Sequence, residues 1–262
     1  MNNNKVRYQD LKGKTILITG ANRGIGKSIA ENFMANQCRV IALFRSTPPK
    51  FDKSILKTSI EPEYLHSDIQ NIEKMKSWLN SIERKGQSID ILVNNAAVYK
   101  DQKLMDTNEE SWDRIMDINL KSTFFLSQLV AKHMKNNGGG VIVNAASFAV
   151  NIASLNFAVY AASKAALVSL TQTMAAEYAP HNIRVNAFSP GVIKTNMTNS
   201  SIEKNSQKLL AAISLNRFGE VEEVAKVVLF LASEQSSYIT GINLDISGGK
   251  LIVQNPSLAW NK

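Results

Sequence analysis

Tyr160 and Lys164 stand four positions apart in Tyr160-Ala161-Ala162-Ser163-Lys164, an alanine-rich run with strong helical propensity. On a helix, positions i and i+4 share one face, which sets an ammonium beside a phenol. A cation there stabilises the phenolate and lowers a tyrosine pKa, near 10 when free, by about 1 to 3 units. The pair would then exchange a proton near neutral pH. Tyr-x-x-x-Lys by itself also fits an aromatic ring lying over a lysine stem on a helix surface. Ser147 changes that balance. It follows an apolar strand candidate, and the thirteen residues from it to Tyr160 let a loop cross the mouth of a sheet and return. Its hydroxyl is then available to hold a substrate oxygen beside the phenol.

A second constellation is Thr19-Gly20-Ala21-Asn22-Arg23-Gly24-Ile25-Gly26, which follows a strand candidate and runs into a helix. Glycines let such a loop turn tightly and approach a pyrophosphate, while the free N–H groups of the helix start face that anion. Gly20, Asn22, Arg23, Gly24, Ile25 and Gly26 are therefore candidate dinucleotide contacts. A plain strand-to-helix turn competes with this reading. So does a nucleoside-triphosphatase loop, because Ala21 to Ser28 is one Gly-to-Ala change from that pattern, with Lys27 and Ser28 in its last two places. Phosphoryl transfer would also need an acidic strand end for Mg²⁺. Most strand ends carry Phe44-Arg45, Asn94-Asn95, Asn144 or Ser189 instead, and only Asp68 is acidic.

An acid about 20 residues beyond the glycines binds the ribose hydroxyls of NAD. Phe44-Arg45 occupies that place. A guanidinium binds a 2′-phosphate with paired hydrogen bonds, so Arg45, helped by Arg23, favours NADP(H), with plain solvation the competing role for either arginine. Asp68, with Ile69 beside it, is placed either to accept from the adenine amino group or to serve as a helix N-cap or turn carboxylate. Asn94-Asn95-Ala96-Ala97 brings amides and small side chains to the next strand end. Asn94 suits a scaffold role or a ribose contact equally, and Asn95 and Ala96 are candidate cofactor neighbours.

Short apolar runs alternating with long amphipathic or Ala-rich segments position these residues, as in βαβ units around a parallel sheet. The strand candidates are Thr15–Thr19, Arg39–Phe44, Tyr64–His66, Ile89–Val93, Val141–Ala145, Arg184–Phe188 and Ile242–Ile246. Helices are predicted over Ile25–Asn36, Ile72–Arg84, Glu109–Lys135, Val159–Ala179 and Val221–Ala232. The fold expected is a single three-layer α/β domain of Rossmann type, a doubly wound seven-stranded parallel sheet with helices on both faces. In such a sheet ligands sit beyond the carboxyl ends of the strands.

The 262 residues, 44% hydrophobic and 20% charged, describe a globular chain with a full core and no repeat or linker. No apolar run approaches the roughly 18 residues of a membrane span, and the polar start lacks the apolar stretch of a signal peptide. Asn196 and Asn199 match a glycosylation pattern that matters only in a secreted chain. Cys38 is the single cysteine, which excludes an internal disulfide and fits a reducing cytoplasm. The net charge of +8 is spread along the chain without aromatic interleaving, so a solvated basic surface is expected, with neither nucleic acid nor membrane as partner. No metal site is expected.

Taken together, these residues resemble the short-chain dehydrogenase/reductase family from about Asp10 to Gly249. Thr19-Gly-x-x-x-Gly-x-Gly26 resembles its cofactor loop, Asn94-Asn95-Ala96 its strand-end motif, and Ser147, Tyr160 and Lys164 its catalytic set. The resemblance adds Asn119 as a fourth catalytic residue, holding a water that links the lysine to solvent. It also implies Pro190-Gly191 with Ile193 on the nicotinamide side and Thr195 at the carboxamide. Tyr238-Ile239-Thr240-Gly241 and Gly248-Gly249 match the last turn and strand end. The implied reaction passes a hydride from nicotinamide C4 to a carbonyl carbon while Tyr160 protonates the oxygen. Ser147 would steady that oxygen, and Lys164 would bind the nicotinamide ribose and lower the tyrosine pKa. The subgroup most similar in pattern is the 3-oxoacyl-[acyl-carrier-protein] reductases, which implies a 3-oxoacyl thioester; a sugar or small ketone or alcohol is the alternative substrate.

Two departures bear on that subgroup. Ala97 replaces the usual glycine, and Asn136-Asn137-Gly138 and His181 stand where basic residues would receive the acidic carrier, which weakens docking of an acyl carrier protein. Phe148, Asn151, Phe157 and Met197 are candidate substrate-pocket residues, with core packing the competing role for the apolar ones. The tail after Gly249, through Trp260, is expected against a neighbouring subunit, since family members are usually tetramers. A relative that binds NADP(H) as a regulator without turnover is the alternative of another class.

Overall fold

The computed structural model describes residues 7–250 and 252–260. Its strands are β1 (Thr15–Thr19), β2 (Arg39–Phe44), β3 (Glu63–His66), β4 (Ile91–Asn94), β5 (Gly140–Ala145), β6 (Ile183–Pro190) and β7 (Asn243–Ile246). They form one seven-stranded sheet in the order β3-β2-β1-β4-β5-β6-β7, every pairing parallel. The helices are α1 (Gly24–Ala35), α2 (Lys53–Leu56), α3 (Ile72–Glu83), α4 (Glu109–Met116), α5 (Ser122–Asn136), α6 (Ala158–Tyr178), α7 (Asn199–Ala211) and α8 (Val221–Ala232).

Side chains alternate across each central strand, and the alternation divides the core in two. Ile16 and Ile18 of β1, Val40 and Ala42 of β2, and Ile91 and Val93 of β4 pack with Ile29 and Phe33 of α1 and Val224 and Val228 of α8. Leu17, Ile41 and Leu92 point the other way, onto Met75 of α3, Leu126 and Val130 of α5 and Met174 of α6. A sheet apolar on both faces needs a helical layer on each, which gives the expected three layers. Strand order reverses between β1 and β4, and that switch point opens a crevice at the strands' carboxyl ends.

Two predicted segments need correction. The helix expected over Glu109–Lys135 is interrupted by a π-helical turn at Asp117–Lys121 between α4 and α5. There the Asn119 amide binds the backbone of Val98 on both sides, accepting from its N–H at 2.8 Å and donating to its carbonyl at 2.9 Å. A π turn inserts a residue into the ladder and is found at such functional positions. The fourth strand begins at Ile91 rather than Ile89, whose N–H donates to His133 Nε2 at 3.2 Å. The tail folds on its own chain, with Trp260 Nε1 donating to the Ser214 carbonyl at 2.9 Å. Among the described residues no helix is long and apolar enough to cross a membrane.

Candidate active site

Backbone groups build the β1 end of the crevice. Thr19 Oγ1 accepts from the N–H groups of Asn95 and Ala96, both at 2.9 Å, and Asn95 Nδ2 donates to the carbonyls of Thr19 and Gly20. These bonds clamp the loop after β1 onto the loop after β4. Gly20 has φ +66°, and a side chain there would meet Ala96 Cα at 3.0 Å. A Cβ on Gly26 would lie 2.3 Å from the Gly20 carbonyl oxygen, a distance no packing tolerates. Helix α1 starts at Gly24 with no side chain capping its first turn. Its N–H groups and positive end are thus left for an anion. Asn94 takes the scaffold role, donating from Nδ2 to Ser127 Oγ and Asn144 Oδ1 at 2.8 and 2.9 Å.

The nucleoside-triphosphatase reading does not survive this geometry. Lys27 Nζ lies 3.7 Å from Glu31, and the buried Ser28 hydroxyl donates to Glu222 of α8 at 2.9 Å. Both side chains point away from the crevice, whose lining stops at Gly26.

At the ends of β2 and β3, the Arg45 guanidinium lies 3.8 Å from Asp68. Asp68 also accepts from the Gln70 N–H at 3.0 Å, a turn carboxylate, while Asn71 caps α3. Arg23, Arg45, Asp68 and Ile69 all line the same cleft of about 640 Å³, as do Asn95, Ala96, Pro190, Gly191, Ile193 and Thr195. Gly191 is forced by close approach, since a Cβ would sit 2.6 Å from Ser247 Cα.

Ser147, Tyr160 and Lys164 meet in the middle of this cleft. Ser147 caps the turn Phe148–Val150, accepting from the Ala149 N–H, and Tyr160 and Lys164 project from the first turns of α6. Lys164 is 2% exposed, and its Nζ donates to the Ala145 carbonyl at 2.6 Å. Burial pushes its pKa down to about 8. Its ammonium lies 5.8 Å from the Tyr160 ring centre. The lowered tyrosine pKa expected from that pair is not what the geometry gives. Burial raises the Tyr160 pKa, and only a hydrogen bond with Ser147 pulls it back. The lysine ammonium is engaged at a backbone carbonyl, and burial of the phenol is the larger effect. Asn119 is fully buried behind the cleft wall, its amide spent on Val98 and on Ser163 Oγ at 3.1 Å, and it does not line the cleft.

Of the predicted substrate residues, Phe148, Phe157 and Met197 line the cleft. Asn151 does not: it ends the turn after Ser147 and faces solvent. Sequence reasoning passed over Tyr99, whose ring lies 5.6 Å from Phe157 and 6.5 Å from Tyr160 and whose hydroxyl donates to the Met197 carbonyl at 3.1 Å. It also passed over Leu209 of α7 and Lys250, which lies just beyond β7. Inspecting every residue shortly after a strand would have flagged Tyr99 and Lys250.

A family model described as enoyl-(acyl carrier protein) reductase matches residues 20–250. The chain is 39% identical to the 3-oxoacyl-[acyl-carrier-protein] reductase of Thermotoga maritima over 92% of its length and 99% of that protein's. It is 40% identical to an NAD-dependent glycerol dehydrogenase of Listeria innocua, covering 93% of this chain and 96% of that one. The ligand-free aldohexose dehydrogenase of Thermoplasma acidophilum superposes with a TM-score of 0.84 at 30% identity, over 94% of this chain and 97% of that chain. Matches of this extent, together with the fold, make the chain a member of the short-chain dehydrogenase/reductase family and an oxidoreductase of CH–OH/C=O pairs.

Proposed function

We propose that the protein reduces a carbonyl to an alcohol with NADP(H), using Tyr160 as proton donor. The observation that carries this reading is the convergence of Ser147, Tyr160 and Lys164 beside the Gly20–Gly26 cradle in one cleft. The cradle fits a dinucleotide: its glycines leave the space a Cβ would fill, and the uncapped start of α1 suits a pyrophosphate. Gly20, Asn22, Arg23, Gly24, Ile25 and Gly26 would hold that part, with Ile69, Asn95 and Ala96 along the adenosine side and Pro190, Gly191, Ile193 and Thr195 at the nicotinamide. When bound, such a cofactor supplies the hydride. Arg45 and Arg23 supply exposed guanidinium groups at the adenosine end, which supports a 2′-phosphate.

An ordinary phenol is protonated at neutral pH and burial raises the Tyr160 pKa further, so the side chain is in the state that a proton donor needs. Ser147 steadies the substrate oxygen. Lys164 fixes the wall at Ala145 and holds a charge near the phenol up to about pH 8. Asn119 acts as a positioning residue through Val98 and Ser163. A 3-oxoacyl thioester is the substrate the Thermotoga relative's name suggests. A small polar ketone or sugar is the second reading, the one that the names of the glycerol and aldohexose relatives suggest. Trp112 of α4 and Phe125 of α5 are exposed, which supports a contact of those helices with a second copy of the chain in a homo-oligomer.

The test follows oxidation of NADPH and NADH against a carbonyl panel that includes an acetoacetyl thioester and a reducible sugar. Turnover should favour NADPH about tenfold and fall about 10²–10⁴-fold in Tyr160→Phe. Preference for NADH would remove the role given to Arg45, and NADPH binding without any turnover would favour a regulator.

A further inference from the structure

Lys250 is the most unusual charge in the cleft. It is 8% exposed, lies just beyond β7, and lines the same space as Ser147 and Tyr160. Its position is fixed by the backbone. Gly248 and Gly249 both adopt left-handed φ, +67° and +72°, and turn the chain back on itself. The Lys250 N–H donates to Ser247 Oγ at 3.1 Å, and Lys250 pairs as an antiparallel bridge with Ile213, just after α7. Ser214 Oγ and the Leu215 N–H hold the carbonyls of Gly249 and Gly248 at 2.9 and 3.0 Å. The side chain is thus delivered inward by a pinned turn.

Its ammonium lies 5.3 Å from the centre of the Phe148 ring, the residue after Ser147. Among the described residues it has no ion pair with a carboxylate and no hydrogen-bond acceptor at Nζ. Among the described residues, the one acidic side chain lining the cleft, Asp68, stands at the β3 end, the opposite edge of the sheet, where it faces Arg45. The stem of the side chain is buried and the ammonium reaches the cleft with no fixed anion beside it, and partial burial lowers the Lys250 pKa. An aromatic face takes the place of such an anion only in part. An unpaired ammonium fixed by a pinned turn beside Ser147 and Phe148 is matched to a negative charge that arrives with a ligand.

We infer that Lys250 receives a carboxylate carried by the substrate, so that oxo acids and hydroxy acids fit this cleft better than neutral carbonyl compounds or carrier-bound acyl groups. The inference rests on the proposed carbonyl reduction for the location of the substrate. A carboxylate suits the site because, among the described residues, one ammonium stands there without a second cation: Arg23 and Arg45 serve the adenosine end, and Lys164 is engaged at Ala145. A phosphate dianion calls for more donors than one lysine offers.

The experiment measures binding rather than turnover, using the Tyr160→Phe protein saturated with NADPH. A ladder of straight-chain oxo acids, from acetoacetate upward, is titrated by calorimetry beside the matching methyl esters. At the rung that spans the distance, the acid should bind about tenfold tighter than its ester. Lys250→Met should remove that preference, and Lys250→Arg should keep most of it. Equal binding of acid and ester at every rung overturns the inference, as does a preference that survives Lys250→Met. Tighter binding of dihydroxyacetone phosphate than of any oxo acid would overturn the choice of a carboxylate. If none of the carbonyl compounds offered is reduced by the wild-type protein with NADPH, the proposed activity fails while the acid-to-ester ratio is still read.

Discussion

The two ends of the cleft are made of different material. At the β1–β4 end the wall is main chain, with Gly20 and Gly26 in contact distance of backbone and of the Asn95 amide, and Thr19 and Asn95 tying two loops together. At the α7 end it is side chain: the rings of Tyr99, Phe157 and Phe148, the thioether of Met197 and the ammonium of Lys250. A main-chain wall has one shape and is indifferent to most substitutions around it. A side-chain wall is rewritten by each replacement. Relatives named for an acyl thioester, glycerol and an aldohexose share this fold, a spread that a side-chain wall accommodates without touching the cradle.

The comparison breaks most visibly at Gly26. Its missing Cβ is aimed at the Gly20 carbonyl at 2.3 Å and Asn95 Nδ2 at 2.5 Å, and a carbonyl in a clamped loop has nowhere to go. Gly26→Ala should therefore cost about 4 kcal/mol or prevent folding, read by denaturant unfolding, and any folded fraction should lose most of its NADPH affinity. Gly24→Ala is the control. Its φ of +54° strains an alanine, but the nearest atom, Thr195 Cγ2, is at an ordinary 3.5 Å, so the expected cost is only about 1 kcal/mol. Equal losses at the two positions would mean that the cradle yields, and that the two ends do not differ in rigidity.

Between the two ends lies Lys164, whose burial makes a prediction about pH. The native side chain releases its proton near pH 8, the unfolded one near its ordinary 10.5. From about pH 8 to 10.5 the unfolded chain therefore binds more protons, and stability climbs with pH in that window. Below it both states are protonated and the cost of the buried charge is felt in full. A drop of this size corresponds to about 3 kcal/mol, an order-of-magnitude figure. Lys164→Met should flatten the climb in thermal unfolding across those pH values. Activity should move the other way, with kcat/KM for reduction falling above about pH 8 as the charge beside Tyr160 is lost. A climb that persists in Lys164→Met would assign the buried charge to another residue.

What the sequence disclosed follows the same division. Glycine spacing, strand patterning and Tyr160-x-x-x-Lys164 are local signals, and strand patterning places the strands of the sheet to within about two residues of their observed bounds. The π turn at Asp117–Lys121 was hidden because it depends on an amide of Asn119 reaching Val98, a contact between segments far apart in the chain. Helix α7 was hidden because Asn199, Ser200, Ser201, Asn205 and Ser206 compete for their own backbone, and Asn205 is in fact kinked out of helical φ. The direction of the Tyr160 pKa is not legible in the sequence, which reveals a neighbouring lysine but not the burial of both groups. Lys250 was passed over because its meaning depends on a turn fastened to the segment after α7.

The mildest test addresses the side-chain end. Tyr99 is 36% exposed, and its hydroxyl holds the Met197 carbonyl at 3.1 Å, while its ring leans on Phe157 and Tyr160. Tyr99→Phe keeps the ring contacts and removes the one bond that fastens the segment before α7. A half-exposed neutral hydrogen bond is worth about 0.5–1 kcal/mol. Loss of that much order in the substrate wall should raise KM about two- to fivefold, with a smaller change in kcat, and leave NADPH affinity alone. The wall would then behave as adjustable side-chain packing. A tenfold fall in kcat at constant KM would instead put Tyr99 against the reacting atoms, through its edge contact with Tyr160, and the boundary between the two ends of the cleft would have to be drawn on the other side of that ring.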